Sequence, residues 1–124
     1  MYEYYFYTNK MNDKVIDINE AKVKKYIESI RPKDPEIRKQ VDMGYSFNGK
    51  VFELFEIRPN WLNSEILEHI PFAKIRYYKT KKLWKLYWML SDESWQLYEP
   101  FPESTNLDDI IEVIKKDKHH CFFG

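Results

Sequence analysis

An α+β fold is predicted for this chain of 124 residues, with N-terminal helices, an antiparallel meander of about five strands and a C-terminal helix. Residues 72–100 alternate apolar and polar positions with a period of two, interrupted by turn residues, as consecutive β-hairpins do. Apolar residues at helical spacing follow Asp17, and a second such stripe follows Asn106. Helices that flank a run of antiparallel strands indicate the α+β class.

The first helix is predicted to begin after Asp17, because aspartate is a favoured N-cap and Glu20 stands where a capping box needs an acid. Pro32 ends this helix, since the residue before a proline avoids the α region. A shorter helix is predicted after Asp34-Pro35, and Gly44 is expected to stop it. The apolar stripe of the first helix consists of Val23, Tyr26, Ile27 and Ile30.

A hairpin is predicted next, because Asn48-Gly49 is a strong signal for a tight turn. Its strands are expected at residues 45–47 and 51–58, on either side of that turn. Residues 63–69 are predicted to form a single helical excursion before the strand that begins at Phe72.

Two further hairpins determine which side chains share a face of the sheet. Their turns are predicted at Thr80-Lys81 and at Asp92-Glu93, and a one-residue slip in either would exchange the two faces. The face assigned to the core carries Ala73, Ile75, Tyr77, Trp84, Leu86, Trp88, Leu90, Trp95 and Leu97. The opposite face carries Lys74, Arg76, Tyr78, Leu83, Lys85, Tyr87, Met89, Gln96 and Tyr98.

The last helix is predicted over residues 107–116, with Asn106 as its N-cap. Acidic residues open it and lysines close it, as the helix dipole favours. Its inward residues are Leu107, Ile110, Ile111 and Ile114.

The overall charge is balanced, but its distribution is not. Twenty basic and twenty acidic residues give no net charge, so no global field attracts the chain to nucleic acid or to an anionic membrane. Six of the basic residues nevertheless fall between Lys74 and Lys85, without an acid among them. Cys121 is the only cysteine, which excludes an internal disulfide and suits the cytoplasm. No apolar run reaches the roughly 18–20 residues of a membrane span.

The polar face of the hairpins is the predicted binding surface. Lys74, Arg76 and Lys85 alternate there with Tyr87 and Tyr98, and rings between cations are how single-stranded nucleic acids are held without sequence readout. Lysines at a turn also commonly protect sheet edges, and helices covering this face would equally explain the pattern.

Arg58 is predicted to extend this surface. Glu56 and Arg58 share a strand face, and the next strand would bring Lys74 and Arg76 beside them. Such a ladder forms either cross-strand salt bridges or a pocket for an anion or phosphate, because arginine offers a planar fork of donors. We therefore expect a non-catalytic binding module for single-stranded nucleic acid or an anionic ligand.

Six short motifs, in order along the chain, resemble a family of small bacterial proteins known as domain of unknown function 3024. They are Gly44-Tyr45; Phe55-Glu56-x-Arg58-Pro59-x-Trp61; Ala73-Lys74-x-Arg76-Tyr77; Trp84-x-Leu86-Tyr87-Trp88; Trp95-x-x-Tyr98-Glu99-Pro100; and His119-x-Cys121-Phe122-x-Gly124. The resemblance covers residues 17–124 and implies a single cytoplasmic domain, which we place at residues 12–124 after an extension of residues 1–11. It implies no activity.

A metal-dependent hydrolase is the alternative function, centred on Asp42 and Glu56. An acid followed by a Glu-x-Lys pair on the next strand would hold magnesium, but arginine stands at position 58 in place of the lysine. His119 and Cys121 lack the spacing of zinc ligands and are expected to form a structural tail. No metal or cofactor is predicted.

The N-terminal residues 1–10 alternate aromatic and polar side chains like a strand. Such a segment exposes too much aromatic surface to remain solvated alone. We expect it to add to a sheet edge, either in its own domain or in a neighbouring copy, where it would build a homodimer.

Overall fold

The computed structural model describes residues 17–123. In this part of the chain, helices come before and after the strands of a six-stranded sheet. The elements in chain order are α1 (Ile18–Ile30), α2 (Pro35–Arg38), β1 (Asp42–Phe47), β2 (Val51–Pro59), β3 (Leu67–Tyr78), β4 (Leu83–Met89), β5 (Trp95–Leu97), β6 (Glu103–Ser104) and α3 (Leu107–Lys116). The α+β prediction is confirmed. Residues 1–10, to which the homodimer prediction refers, and the start of the domain near residue 12 lie outside the described residues.

The sheet is an antiparallel meander in the order β1-β2-β3-β4-β5. The short strand β6 was not predicted, and it also pairs with β4. Because β5 lies opposite residues 87–89 and β6 lies opposite residues 84–85, the two short strands follow each other along one edge of β4.

The core lies between one face of the sheet and helices α1 and α3. Lys22 on α1 forms a salt bridge with Asp108 on α3, with 3.0 Å between Nζ and Oδ2, so the two helices lie side by side. Fully buried residues of this layer are Val23, Ile27, Phe52, Leu54, Ile75, Leu86, Ile110 and Ile114. We call the opposite side of the sheet the outer face. Among residues 17–123, no helix is long and apolar enough to cross a membrane.

The predicted caps hold both long helices. The carboxylate of Asp17 accepts hydrogen bonds from the backbone N–H groups of Asn19 and Glu20, and Asn106 caps α3 through Asp108. Arg31, before the proline, is extended as expected. The Glu20 carboxylate does not close a capping box onto Asp17; it accepts a hydrogen bond from the Tyr45 hydroxyl at 2.8 Å.

Two predicted elements are wrong, because pairing with β2 overrides local propensity. Gly44 does not end a helix: α2 stops at Arg38, and Gly44 lies within β1 opposite Phe55. The predicted helical excursion at residues 63–69 is instead a turn followed by the first part of β3. The β2–β3 ladder contains a bulge between Leu54 and Phe55, next to Pro71 on β3, and the pairing of the two strands continues on both sides of it.

The register predicted for the hairpin with its turn at Thr80-Lys81 is confirmed. The register predicted for the hairpin with its turn at Asp92-Glu93 is wrong by one residue. Lys74 lies opposite Tyr87 as predicted, but Trp95 lies opposite Met89 instead of Leu90. The Leu90 carbonyl accepts from the Glu93 N–H, and the Leu90 N–H donates to the Ser94 carbonyl. This closes a three-residue loop with Glu93 in the left-handed region at φ 67°.

Candidate ligand-binding surface

Two rows of side chains cross the middle of the outer face. The first row runs from Glu53 through Lys74 and Tyr87 to Leu97, each opposite the next on neighbouring strands. The second row runs through Val51, Arg76, Lys85 and Glu103. Because side chains alternate along a strand, all of these residues point away from α1 and α3.

Three cations of this surface lie over aromatic rings. The Nζ atom of Lys74 is 4.8 Å from the ring centre of Tyr87 and 5.4 Å from that of Trp95. Tyr78 is flanked by two cations: Cζ of Arg76 lies 5.3 Å from its ring centre, and Nζ of Lys85 lies 5.0 Å away. These distances fall within the range in which a ring attracts a cation. The surface is therefore an alternation of charge and ring.

The hydroxyl groups of Tyr78 and Tyr87 form a hydrogen bond that joins β3 to β4. Partial burial, together with this bond to Tyr78, raises the pKa of Tyr87 from 10.0 to about 12, and the nearby Arg76 opposes the rise. The Tyr87 ring is therefore neutral at physiological pH, which suits stacking.

The positive charge of this surface is only partly offset by acids, because Glu53 lies opposite Lys74 and Glu103 lies opposite Lys85. Within residues 17–123, Lys74 and Arg76 take part in no ion pair, while Lys85 lies 4.0 Å from Glu103. The turns at one end of the sheet add further lysines, because the Tyr77 N–H donates to the Lys50 carbonyl at 2.8 Å and so joins the two turns. These turn lysines are Lys50, Lys79, Lys81 and Lys82, all exposed.

Tyr98 does not belong to this surface, contrary to the sequence prediction. It is 2% exposed, and its ring lies 5.0 Å from that of Phe122 within the core. Burial, and then the nearby thiol of Cys121, raises the pKa of its hydroxyl. The one-residue shift of the second hairpin causes the error, because it turns Tyr98 inwards and Trp95 outwards.

Arg58 does not belong to it either. It lies opposite Glu68, and its Nε is 2.8 Å from the Glu56 carboxylate. Lys74 and Arg76 instead lie opposite Glu53 and Val51. Position 68 is eight residues from Arg76 along β3, or roughly 26 Å, so no ladder of four charges forms.

Asp42 and Glu56 are not arranged as a pair of metal ligands. Asp42 lies opposite Ile57, whereas Glu56 lies opposite Met43, so the two carboxylates point to different faces. Both oxygens of Asp42 accept hydrogen bonds from Arg31 at 2.9 Å. In residues 17–123, no group of three or more histidine, cysteine or acidic side chains could hold a metal ion.

The C-terminal tail is held by the carboxylate of Asp117. This carboxylate accepts the backbone N–H of Phe122 at 3.0 Å and of Phe123 at 2.8 Å. His119 contributes a ring that lies 6.5 Å from Tyr98. Burial, and then the charge of Asp117, raises the pKa of the Cys121 thiol, which disfavours the thiolate that a nucleophile needs.

Trp95 is the functional candidate that the sequence reasoning missed, because it was assigned to the core. It is half-buried and contacts Lys74 on the outer face. The signal that could have found it is Ser91-Asp92-Glu93-Ser94, which is long enough for a three-residue loop. Asp92 stabilises that loop by accepting from the Ser94 N–H at 3.0 Å.

Residues 11–124 match the family model described as "Domain of unknown function (DUF3024)". This match covers nearly the whole chain, in agreement with the resemblance of the six motifs. No curated protein and no solved structure matches the chain.

Proposed function

We propose that this chain, which belongs to the DUF3024 family, is a cytoplasmic, non-catalytic module that binds single-stranded nucleic acid on its outer face. The observation that carries the proposal is the alternation of Lys74, Arg76 and Lys85 with the rings of Tyr78, Tyr87 and Trp95. A cytoplasmic location is supported by the single cysteine.

Cations and rings have separate tasks in such a complex. The ammonium and guanidinium groups bind phosphates, and the exchange releases counterions, so affinity falls as salt rises. The rings stack on unpaired bases, which every base permits, so sequence preference is weak. The bases of a duplex could not stack on these rings, because they are already stacked on each other.

Single strands are favoured over a small anion by the extent of the surface. The two rows span β2 to β5 and β6, and the exposed turn lysines continue the positive charge beyond Tyr78. A free phosphate would use one or two cations and none of the rings. The carboxylates of Asp42 and Glu56 are bound to Arg31 and Arg58, so the geometry gives the hydrolase alternative no comparable support.

The test is fluorescence anisotropy of labelled oligothymidine and oligouridine with the full-length protein. Affinity should fall steeply between 50 and 200 mM salt, as counterion release requires. Arg76→Ala and Lys85→Ala should each flatten the dependence on salt. Tyr87→Ala should weaken binding by roughly 1–3 kcal/mol through lost stacking.

Lys25→Ala is the matched control, because Lys25 is an exposed lysine on α1, on the other side of the sheet. It removes one positive charge and should leave both affinity and salt dependence nearly unchanged. An equal effect of Lys25→Ala and Lys85→Ala would mean that binding depends only on overall positive charge and not on the outer face. Absence of binding at low salt would refute the proposal.

A further inference from the structure

Five of the eight large apolar side chains that are exposed in residues 17–123 lie at the end of the β2–β3 hairpin, residues 59–70, which we call the hairpin tip. They are 43% to 87% exposed, whereas large apolar side chains on a monomer are mostly buried or scattered singly. The set consists of Trp61, Leu62, Ile66, Leu67 and Ile70.

The hairpin tip also has a free strand edge. Strand β4 pairs with β3 only from Ala73 to Tyr78, so residues 67–72 have no neighbouring strand on that side within the described chain. The opposite edge of the same segment is occupied by β2. A free edge presents backbone N–H and C=O groups that another strand can pair with.

The backbone groups that face the free side can be identified. The Asn60 N–H donates to the Ile66 carbonyl at 2.7 Å, so the backbone of Ile66 points inwards to β2. Because these directions alternate in an antiparallel ladder, the N–H and C=O groups of Leu67 and His69 point outwards. Pro71 has no N–H but keeps its carbonyl, so the pairing segment runs from Leu67 to Pro71.

We propose that this edge pairs with the same edge of a second copy of the chain, antiparallel and about a two-fold axis. A two-fold axis perpendicular to the sheet keeps each side chain on its own face, and His69 then stands opposite the same residue of the second copy. Leu67 and Ile70 lie on opposite faces of β3, so each side of the added strand meets an apolar residue.

A second copy fits this edge better than an anionic membrane surface does. Glu65 and Glu68 stand among the apolar residues and disfavour an anionic membrane surface. The chain has no net charge, so no long-range repulsion opposes the association of two copies. If each of the five exposed apolar side chains loses on the order of 100 Å² of accessible surface, the two hairpin tips together would bury about 1,000 Å². This area is the lower bound of a specific interface.

This dimer has a consequence for the outer face. Because the two-fold axis preserves the faces, the basic-aromatic surfaces of both copies would point to the same side. Two linked surfaces raise the effective concentration for one long strand. The dimer itself rests on the hairpin tip alone and does not depend on the proposed function.

The test is sedimentation velocity of the full-length protein across micromolar concentrations. We expect a reversible dimer at twice the chain mass. Leu67→Lys places a charge on the edge, and Leu67→Pro removes the outward N–H without touching the ladder to β2. Each should raise the dissociation constant at least about tenfold, or 1.4 kcal/mol. Ile37→Lys is the control, because Ile37 is an exposed apolar residue on α2.

Circular dichroism and thermal unfolding of both Leu67 variants confirm that the fold is intact. A wild-type protein that stays monomeric, or a dimer that both Leu67 variants leave unchanged, would overturn the inference. Loss of the dimer on deletion of residues 1–10, with no effect at Leu67, would also overturn it and would assign the contact to the N-terminal segment.

Discussion

The ammonium nitrogen of Lys74 lies 4.8 Å from the ring centre of Tyr87, which stands directly opposite it on β4. The same nitrogen reaches the ring of Trp95 on β5. One lysine therefore links three strands of the outer face. Its position depends on the loop after β4, because only the observed register turns Trp95 towards it.

Stability should fall between about pH 10 and 12 as Tyr87 ionises. Burial and the bond to Tyr78 raise its folded pKa to about 12, above the ordinary value of 10.0. Its contribution is therefore complete below pH 10 and is lost as pH rises through the folded value. Urea unfolding of Tyr87→Phe from pH 9 to 12 should show a shallower loss of unfolding free energy. A slope equal to that of the wild type would contradict this.

Tyr26 should produce a second alkaline effect that persists in Tyr87→Phe. Burial, and then the charge of Asp117, raises its pKa from 10.0 to about 12. The sign is the same, with stability lost as pH rises through the folded value. In the double variant with Tyr26→Phe, the unfolding free energy should fall less steeply between pH 10 and 12 than in Tyr87→Phe alone, and the remaining loss includes that of Tyr98, whose pKa burial also raises.

Tyr98→Ala should lower the unfolding free energy by roughly 3–5 kcal/mol, since it removes a buried ring from the core. Tyr98→Phe keeps the ring and should cost far less. Urea unfolding of both variants measures the difference. Oligonucleotide binding by Tyr98→Phe should match that of the wild type. A loss of binding in this variant without a loss of stability would return Tyr98 to the binding surface.

Glu93→Gly should stabilise the protein. Glu93 adopts φ 67°, where an ordinary residue is strained by roughly 1–2 kcal/mol and glycine is not. The greater freedom of glycine in the unfolded chain offsets roughly 0.5–1 kcal/mol of this gain. The unfolding free energy should therefore rise by about 0.5 kcal/mol. Ser91→Gly, in the same loop, lacks that strain and should lower it.

Asp117→Ala should destabilise the C-terminal tail, because the backbone N–H groups of Phe122 and Phe123 lose their acceptor. Two hydrogen bonds to a charged group are worth about 3 kcal/mol or more together. Glu112→Ala removes an exposed acid of α3 and should change the unfolding free energy by less than about 1 kcal/mol. Similar losses in both variants would deny Asp117 this role.

The sequence predicts best the elements whose signals are local. Asp17 and Asn106 cap their helices as expected because a cap depends on the adjacent residues. The register that sets Lys74 opposite Tyr87 is correct because each one-residue alternative would bury lysines.

The errors arise where pairing at a distance decides the structure. Gly44 has a clear local signal for a helix end, yet β2 recruits it into a strand. Nothing adjacent to Glu93 indicates a left-handed residue, because glycine normally fills such a position. That one conformation moves Tyr98 into the core and Trp95 onto the outer face, so the place of Trp95 in the site could not be read from the alternation alone.

The salt bridge between Lys22 and Asp108 joins two helices that are far apart in the chain, and this separation indicates the order in which parts of the fold form. The strands of the meander are joined by short turns, so their contacts form between near neighbours in the chain. The two helices meet across a separation of 86 residues, and closing so long a segment is slow. We expect the hairpins to form early and the helices to dock late. In stopped-flow experiments, Ile110→Val should therefore mainly speed unfolding, whereas Ile75→Val should slow folding.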